Sequence, residues 1–93
     1  MSLRETYERK MQTQLHQLKA EIDELRKKAD PTETNLELEY YTLIDELHLK
    51  LDTANQKFHL LKQANVEKWD EFKSRFELIW NSLHELIRSI TSP

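Results

Sequence analysis

The four histidines, at positions 16, 48, 59 and 84, are the side chains of this sequence best suited to proton transfer or metal binding. No two of them stand four residues apart, the spacing that brings two imidazoles onto one helical face around one ion. His48 and His59 share a helical face, but they would lie about 16 Å apart along it. We therefore expect no metal and no other cofactor.

Asp45 and His48 repeat the carboxylate-x-x-His spacing of di-iron helical bundles. Such a site needs two of these motifs and two further inward carboxylates, and only one is present here. The chain has no Cys and no Gly, so it lacks thiolate chemistry and Gly-rich phosphate loops. With no Ser/His/Asp arrangement either, we expect a protein that is not an enzyme and has no small-molecule substrate.

The middle of the chain has the strongest helical pattern. Between residues 35 and 64 the apolar side chains recur at Leu36, Tyr40, Ile44, Leu47, Leu51, Ala54, Phe58 and Leu61. From Ile44 onward the steps alternate between three and four residues, as in the a and d positions of a helical bundle or coiled coil. The absence of Gly argues against an all-β fold, whose tight turns usually need it.

A second helix is predicted before this segment. Its apolar series runs through Met11, Leu15, Leu18, Ile22, Leu25 and Ala29. Asp30, Pro31 and Glu33 then have the residue types of an N-cap, a first helical position and a third. They predict a break at residues 30–34, and the alternative is one kinked helix through Pro31.

A third helix carries the aromatic residues. Asn65 is a good N-cap and predicts a turn before it, although a four-residue slip within one long helix would give the same offset. Trp69, Phe72, Phe76 and Trp80 could together bury on the order of 800 Å², worth roughly 20 kcal/mol of transfer free energy before entropy is counted. Such a helix must pack on the rest of the chain or on another chain.

The sequence therefore predicts one all-α domain over residues 1–93, an elongated antiparallel three-helix bundle or coiled coil with helices at about 2–29, 34–64 and 66–91. The alternative is a long helical hairpin that dimerises. The candidate stripe for the core or for an interaction comprises Trp69, Phe72, Phe76, Trp80, Leu83, Ile87 and Ile90. It could serve as bundle core, as a homodimer interface, or as an amphipathic surface like that of exchangeable apolipoproteins.

Charge limits the classes of partner. Fourteen basic and 17 acidic residues give a net charge of −3, without the basic excess that nucleic-acid binding needs. Membrane contact is not favoured for the same reason, and no apolar run approaches the roughly 20 residues of a membrane span. The polar N-terminus has no signal-peptide core, so a cytoplasmic location is expected.

Several short motifs resemble those of a family of small bacterial coiled-coil proteins, some of which are labelled as stress-response proteins. They are Tyr7-Glu8, Lys10, Gln14-Leu15, Ala20-Glu21-Ile22-Asp23, Leu25, Lys28-Ala29-Asp30, Leu38-Glu39-Tyr40-Tyr41, Ile44, Glu46-Leu47, Leu61-Lys62-Gln63-Ala64, Trp69 and Trp80-Asn81-Ser82-Leu83. The resemblance covers roughly residues 5–84 and implies soluble helical hairpins or bundles without known catalytic residues.

Together these observations predict a non-catalytic structural or protein-interaction module, with a stress-related role implied by the resemblance. It would bind a protein partner or self-associate. The alternative function is that of an apolipoprotein-like amphipathic protein that binds lipid or client proteins.

Overall fold

The computed structural model describes residues 2–28 and 35–91. These ranges form three α-helices and contain no strand: α1 (Leu3–Lys28), α2 (Asn35–Gln63) and α3 (Val66–Thr91). The predicted break at residues 30–34 lies outside the described residues. Arg4 near the start of α1 meets Ala64 just beyond α2, and Lys50 of α2 meets Ser82 of α3, so neighbouring helices run antiparallel. The molecule measures 51 × 21 × 20 Å, and the prediction of an elongated all-α three-helix bundle is confirmed.

The central helix of the packing is α2. Its predicted a and d residues from Ile44 to Leu61 are all buried, and they form one cluster with residues of both neighbours. The buried side chains are Ile44, Leu47, Leu51, Ala54, Phe58 and Leu61 of α2, Met11, Leu15, Leu18 and Ile22 of α1, and Phe76 and Leu83 of α3. Each fully buried Leu, Ile or Phe contributes about 1.5–3 kcal/mol. Because α2 supplies half of this core, α1 and α3 are held mainly through it.

The turn between α2 and α3 closes without glycine. The Lys68 backbone N–H donates to the Asn65 side-chain oxygen at 2.9 Å, and the Trp69 N–H donates to the Asn65 carbonyl at 3.0 Å. Asn65 is therefore the N-cap of α3. No described residue has a positive φ, so this turn does not require the backbone freedom that only glycine has at low cost.

The carboxyl end of α2 is capped by a side chain from the start of α1. The Arg4 Nη2 atom lies 2.7 Å from the Ala64 carbonyl oxygen, 3.1 Å from that of Lys62 and 3.3 Å from that of Leu61. The Leu61 carbonyl also accepts from the Ala64 N–H at 3.2 Å, whereas the Lys62 carbonyl has no partner within α2. The positive guanidinium also suits the negative end of the helix dipole. Arg4 thus fastens the N-terminal end of α1 to the α2–α3 turn.

Polar contacts also join α1 and α2 at the other end of the bundle. The Tyr40 hydroxyl donates to the Leu25 carbonyl at 2.9 Å. An Arg26 nitrogen also lies 3.9 Å from an Asp45 carboxylate oxygen, and both side chains are largely exposed. An exposed pair of this kind contributes little, so the Tyr40 hydrogen bond is the stronger of the two contacts.

Replacing Asn65 by Ala removes the N-cap of α3. We expect Asn65→Ala to lower the free energy of unfolding by about 1 kcal/mol, seen as a lower midpoint in urea with an unchanged slope. The control is Asn55→Ala, at an exposed position inside α2, where Ala is the better helix former. If the two variants were equally stable, Asn65 would not be acting as a cap.

Candidate interaction surface

The seven residues of the predicted stripe occupy two different environments. Phe76 and Leu83 are completely buried against α2, at 0% exposure. The remaining five are only half-buried: Trp69, Phe72, Trp80, Ile87 and Ile90. Consecutive helical residues point about 100° apart, so Ile79 and Trp80 lie on opposite sides of the Phe76–Leu83 line. The apolar surface of α3 therefore extends beyond α2 in both directions.

One side of α3 meets α1, and we call it the α1 flank: Trp69, Lys73, Glu77, Trp80 and His84. The edge of the Tyr7 ring packs on Trp69, with centroids 5.6 Å apart and planes at 83°. The Lys73 ammonium lies 4.8 Å from the Tyr7 ring centre and 5.6 Å from that of Trp69. These aromatic and cation–π contacts join α1 to α3 near the α2–α3 turn.

A hydrogen bond completes this contact. The Tyr7 hydroxyl donates to the Glu77 carboxylate at 3.0 Å. Burial raises the pKa of Tyr7 well above its usual value of 10.0, and the hydrogen bond and the negative charge of Glu77 raise it further. The folded protein therefore holds the neutral phenol, which can donate to Glu77, far into the alkaline range.

Farther along, α1 and α3 leave a solvent-open groove of about 290 Å³ between them. Its lining residues are Gln14, Gln17, Leu18, Glu21, Trp80 and His84. The His84 ring packs against Trp80, with centroids 4.6 Å apart, and its Nε2 atom has no hydrogen-bond partner among the described residues. Binding sites for small molecules usually enclose about 300–1,000 Å³ and bury most of the ligand. Because this groove is open to solvent, it is a poor enclosure for a small molecule.

The other side of α3 has no helix of the described chain over it, and we call it the open flank: Phe72, Arg75, Leu78, Ile79, Ser82 and Leu86. Phe72, Ile79 and Leu86 are half-buried, whereas Leu78 is 73% exposed. A second groove, of about 320 Å³, lies here between α2 and α3 and is lined by Lys57, Arg75, Leu78, Ile79 and Ser82. Its floor is apolar and its rim is basic.

Helix α2 extends this apolar area. Leu60 is 49% exposed and follows Lys57 by three residues, so both lie on the same side of α2. On α3 the Arg75 guanidinium lies 5.6 Å from the Phe72 ring centre and covers part of that ring. The open flank and Leu60 thus form a two-helix surface with apolar groups that another helix could cover.

The residues considered for proton transfer or metal binding do not form one site. His16 and His59 are exposed, whereas half-buried His48 has its Nε2 atom 3.9 Å from an Asp23 oxygen. Across the described ranges, no three His, Cys, Asp or Glu side chains come within reach of a single ion. In those same ranges, no helix combines the length and apolar character that crossing a bilayer would require.

The Tyr7–Glu77 hydrogen bond predicts a pH-dependent contribution to stability. The folded-state pKa of Tyr7 is raised, so the contribution is complete below about pH 10 and is lost as the pH rises toward the folded-state value. We expect Tyr7→Phe to cost about 1 kcal/mol of unfolding free energy at about pH 8 and progressively less above about pH 10. Urea unfolding over this range measures the difference.

Tyr41→Phe is the matched control, because Tyr41 is also half-buried but has no hydrogen bond to another described residue. Its difference from the wild type, measured over the same pH range, gives the effect of removing a hydroxyl group that has no such hydrogen bond. A cost of Tyr7→Phe that stays constant through the alkaline range would contradict the raised pKa.

Comparison with protein-family models, with curated proteins and with solved structures finds no match to this chain. Its resemblance to small bacterial coiled-coil proteins stays a prediction from its motifs.

Proposed function

We propose that this chain is a non-catalytic helical module that binds protein through the open flank and the adjoining face of α2. The main support is the exposure of Leu78, at 73%, beside the half-buried Phe72, Ile79 and Leu86. Single exposed Leu residues are ordinary, but an apolar row with a groove and a polar rim is typical of an interaction site.

The character of this surface favours a helical partner. The groove runs between two antiparallel helices, and a partner helix can place its apolar face in such a groove. Phe72 offers an aromatic anchor, and the Arg75 guanidinium lies over that ring. Aromatic residues and Arg are enriched at protein interfaces, where their flat groups bury area at low entropic cost.

Lipid binding of the apolipoprotein type is the competing function. It would require α3 to turn its apolar stripe toward lipid, but Phe76 and Leu83 are committed to the core with α2. Helix α3 also has five acidic and four basic residues, not the Lys- and Arg-rich polar face that favours anionic membranes. The protein-binding function requires no such opening of the bundle.

The resemblance to small bacterial coiled-coil proteins suggests a cellular context for this proposed function. In a cytoplasmic, stress-related context of the kind it implies, a small bundle of this type would act as a scaffold or assembly element. Neither the fold nor the open flank depends on that setting.

A photo-crosslinking amino acid at position 78 tests whether the open flank meets protein. The full chain is irradiated in two samples, an extract of its source cells and the purified protein. We expect discrete adducts with a polypeptide. Position 24 is the control, because Glu24 is exposed on the outer side of α1. Equal adduct formation at both positions, or none at position 78, would contradict the proposed function.

A second measurement separates protein binding from lipid binding. The native Trp69 and Trp80 report on lipid binding, because burial of either ring in lipid shifts its emission to the blue. We expect no shift and no co-sedimentation when vesicles of phosphatidylcholine, with or without phosphatidylglycerol, are added. A blue shift accompanied by co-sedimentation would support the apolipoprotein-like alternative instead.

A further inference from the structure

The charges around the open flank are separated along the bundle. Near the α2–α3 turn the groove is bordered by Lys57 and Arg75, and Lys50 lies farther along α2. Glu71 pairs with Arg75 at 2.7 Å and with Lys68 at 3.8 Å, so it offsets one of these positive charges and the end stays net positive. We call Lys57 and Arg75 the basic end.

The far half of the same surface is acidic. Glu46 precedes Lys50 by four residues on α2, and Glu85 follows Leu78 by seven on α3, so both lie on the helical rows that border the groove. Both side chains are exposed, and neither has an ion pair within the described part of the chain. We call Glu46 and Glu85 the acidic end.

The two ends are spaced alike on both helices. Lys57 and Glu46 are about 16 Å apart along α2, and Arg75 and Glu85 are about 15 Å apart along α3. The Lys50–Ser82 contact, at 2.9 Å, lies between the two ends. A two-fold axis near this contact would place the basic end of one copy over the acidic end of the other, at both places at once.

The surface is also large enough. A stable dimer buries roughly 800 Å² of each partner, and the face of a bundle 51 Å long and 21 Å wide has room for this area. A second copy would cover the half-buried Phe72, Ile79 and Leu86 with the same residues of its own. It would also bring exposed Leu78 and Leu60 into an interface.

We propose that the partner of the open flank is a second copy of this chain, related by a two-fold axis perpendicular to the bundle. The charge separation selects this arrangement, because a parallel pairing would place like charges together. This inference rests on the proposed function, since it names the protein that the open flank binds.

Charge exchange tests the dimer directly. Lys57→Glu with Arg75→Glu makes both ends of the surface acidic, and Glu46→Lys with Glu85→Lys makes both ends basic. We expect the wild type to have about twice the chain mass of 11.3 kDa by light scattering. Each double variant should have a dissociation constant raised at least about 100-fold and run as a monomer. An equal mixture of the two variants should regain the dimer mass.

The control has the same charge change elsewhere: Arg9→Glu with Lys10→Glu, on the exposed side of α1, should remain dimeric. Circular dichroism establishes that each variant keeps its helix content. A monomeric wild type, or double variants that both stay dimeric, would overturn the inference. If the wild type is monomeric but position 78 still crosslinks to a different polypeptide, the proposed function stands and the dimer inference fails. If position 78 crosslinks to no polypeptide, the proposed function and the dimer inference both fail.

Discussion

The Arg4 guanidinium is the point at which all three helices meet. It pairs with Glu8 of its own helix at 3.1 Å, approaches the last carbonyls of α2 and their neighbour Ala64, and lies 5.7 Å from the Trp69 ring centre of α3. Capping the carboxyl end of α2 satisfies groups that the helix cannot satisfy itself. The position of Arg4 then brings Tyr7 against Trp69, and this contact places α1 on one side of α3.

That placement leaves the aromatic helix partly uncovered. The apolar surface of α3 is too wide for α2 alone: α2 covers the Phe76–Leu83 line, and α1 reaches only the side of Trp69 and Trp80. The opposite side, with Ile79 and Leu78, has a groove of its own and no covering helix among the described residues. Because α1 and α3 both pack mainly on α2, this side of α3 is left open to a partner.

Much of this fold could be predicted from periodicity, because the three-and-four spacing from Ile44 to Leu61 needs only local pattern, and Asn65 carries its own capping signal. The Arg4 cap could not be predicted in this way. It joins residues about 60 positions apart. It also lies where the apolar steps from Leu3 to Tyr7 and from Tyr7 to Met11 are both four residues, so the heptad phase is lost there. The division of the predicted stripe into a covered side and an open side could not be predicted either. Heptad positions show that Ile79 and Trp80 lie on opposite sides of the line, but tertiary packing decides which side α1 covers.

The most direct test of this account is residue-resolved amide hydrogen exchange of the wild type and of Arg4→Ala. If Arg4 holds α1 in place, its loss should reduce the protection of amides in α1, most strongly near Tyr7 and Met11. Protection in the centres of α2 and α3 should remain close to that of the wild type, because their shared core is intact. An equal loss of protection in all three helices, or no loss in α1, would contradict the central role of Arg4.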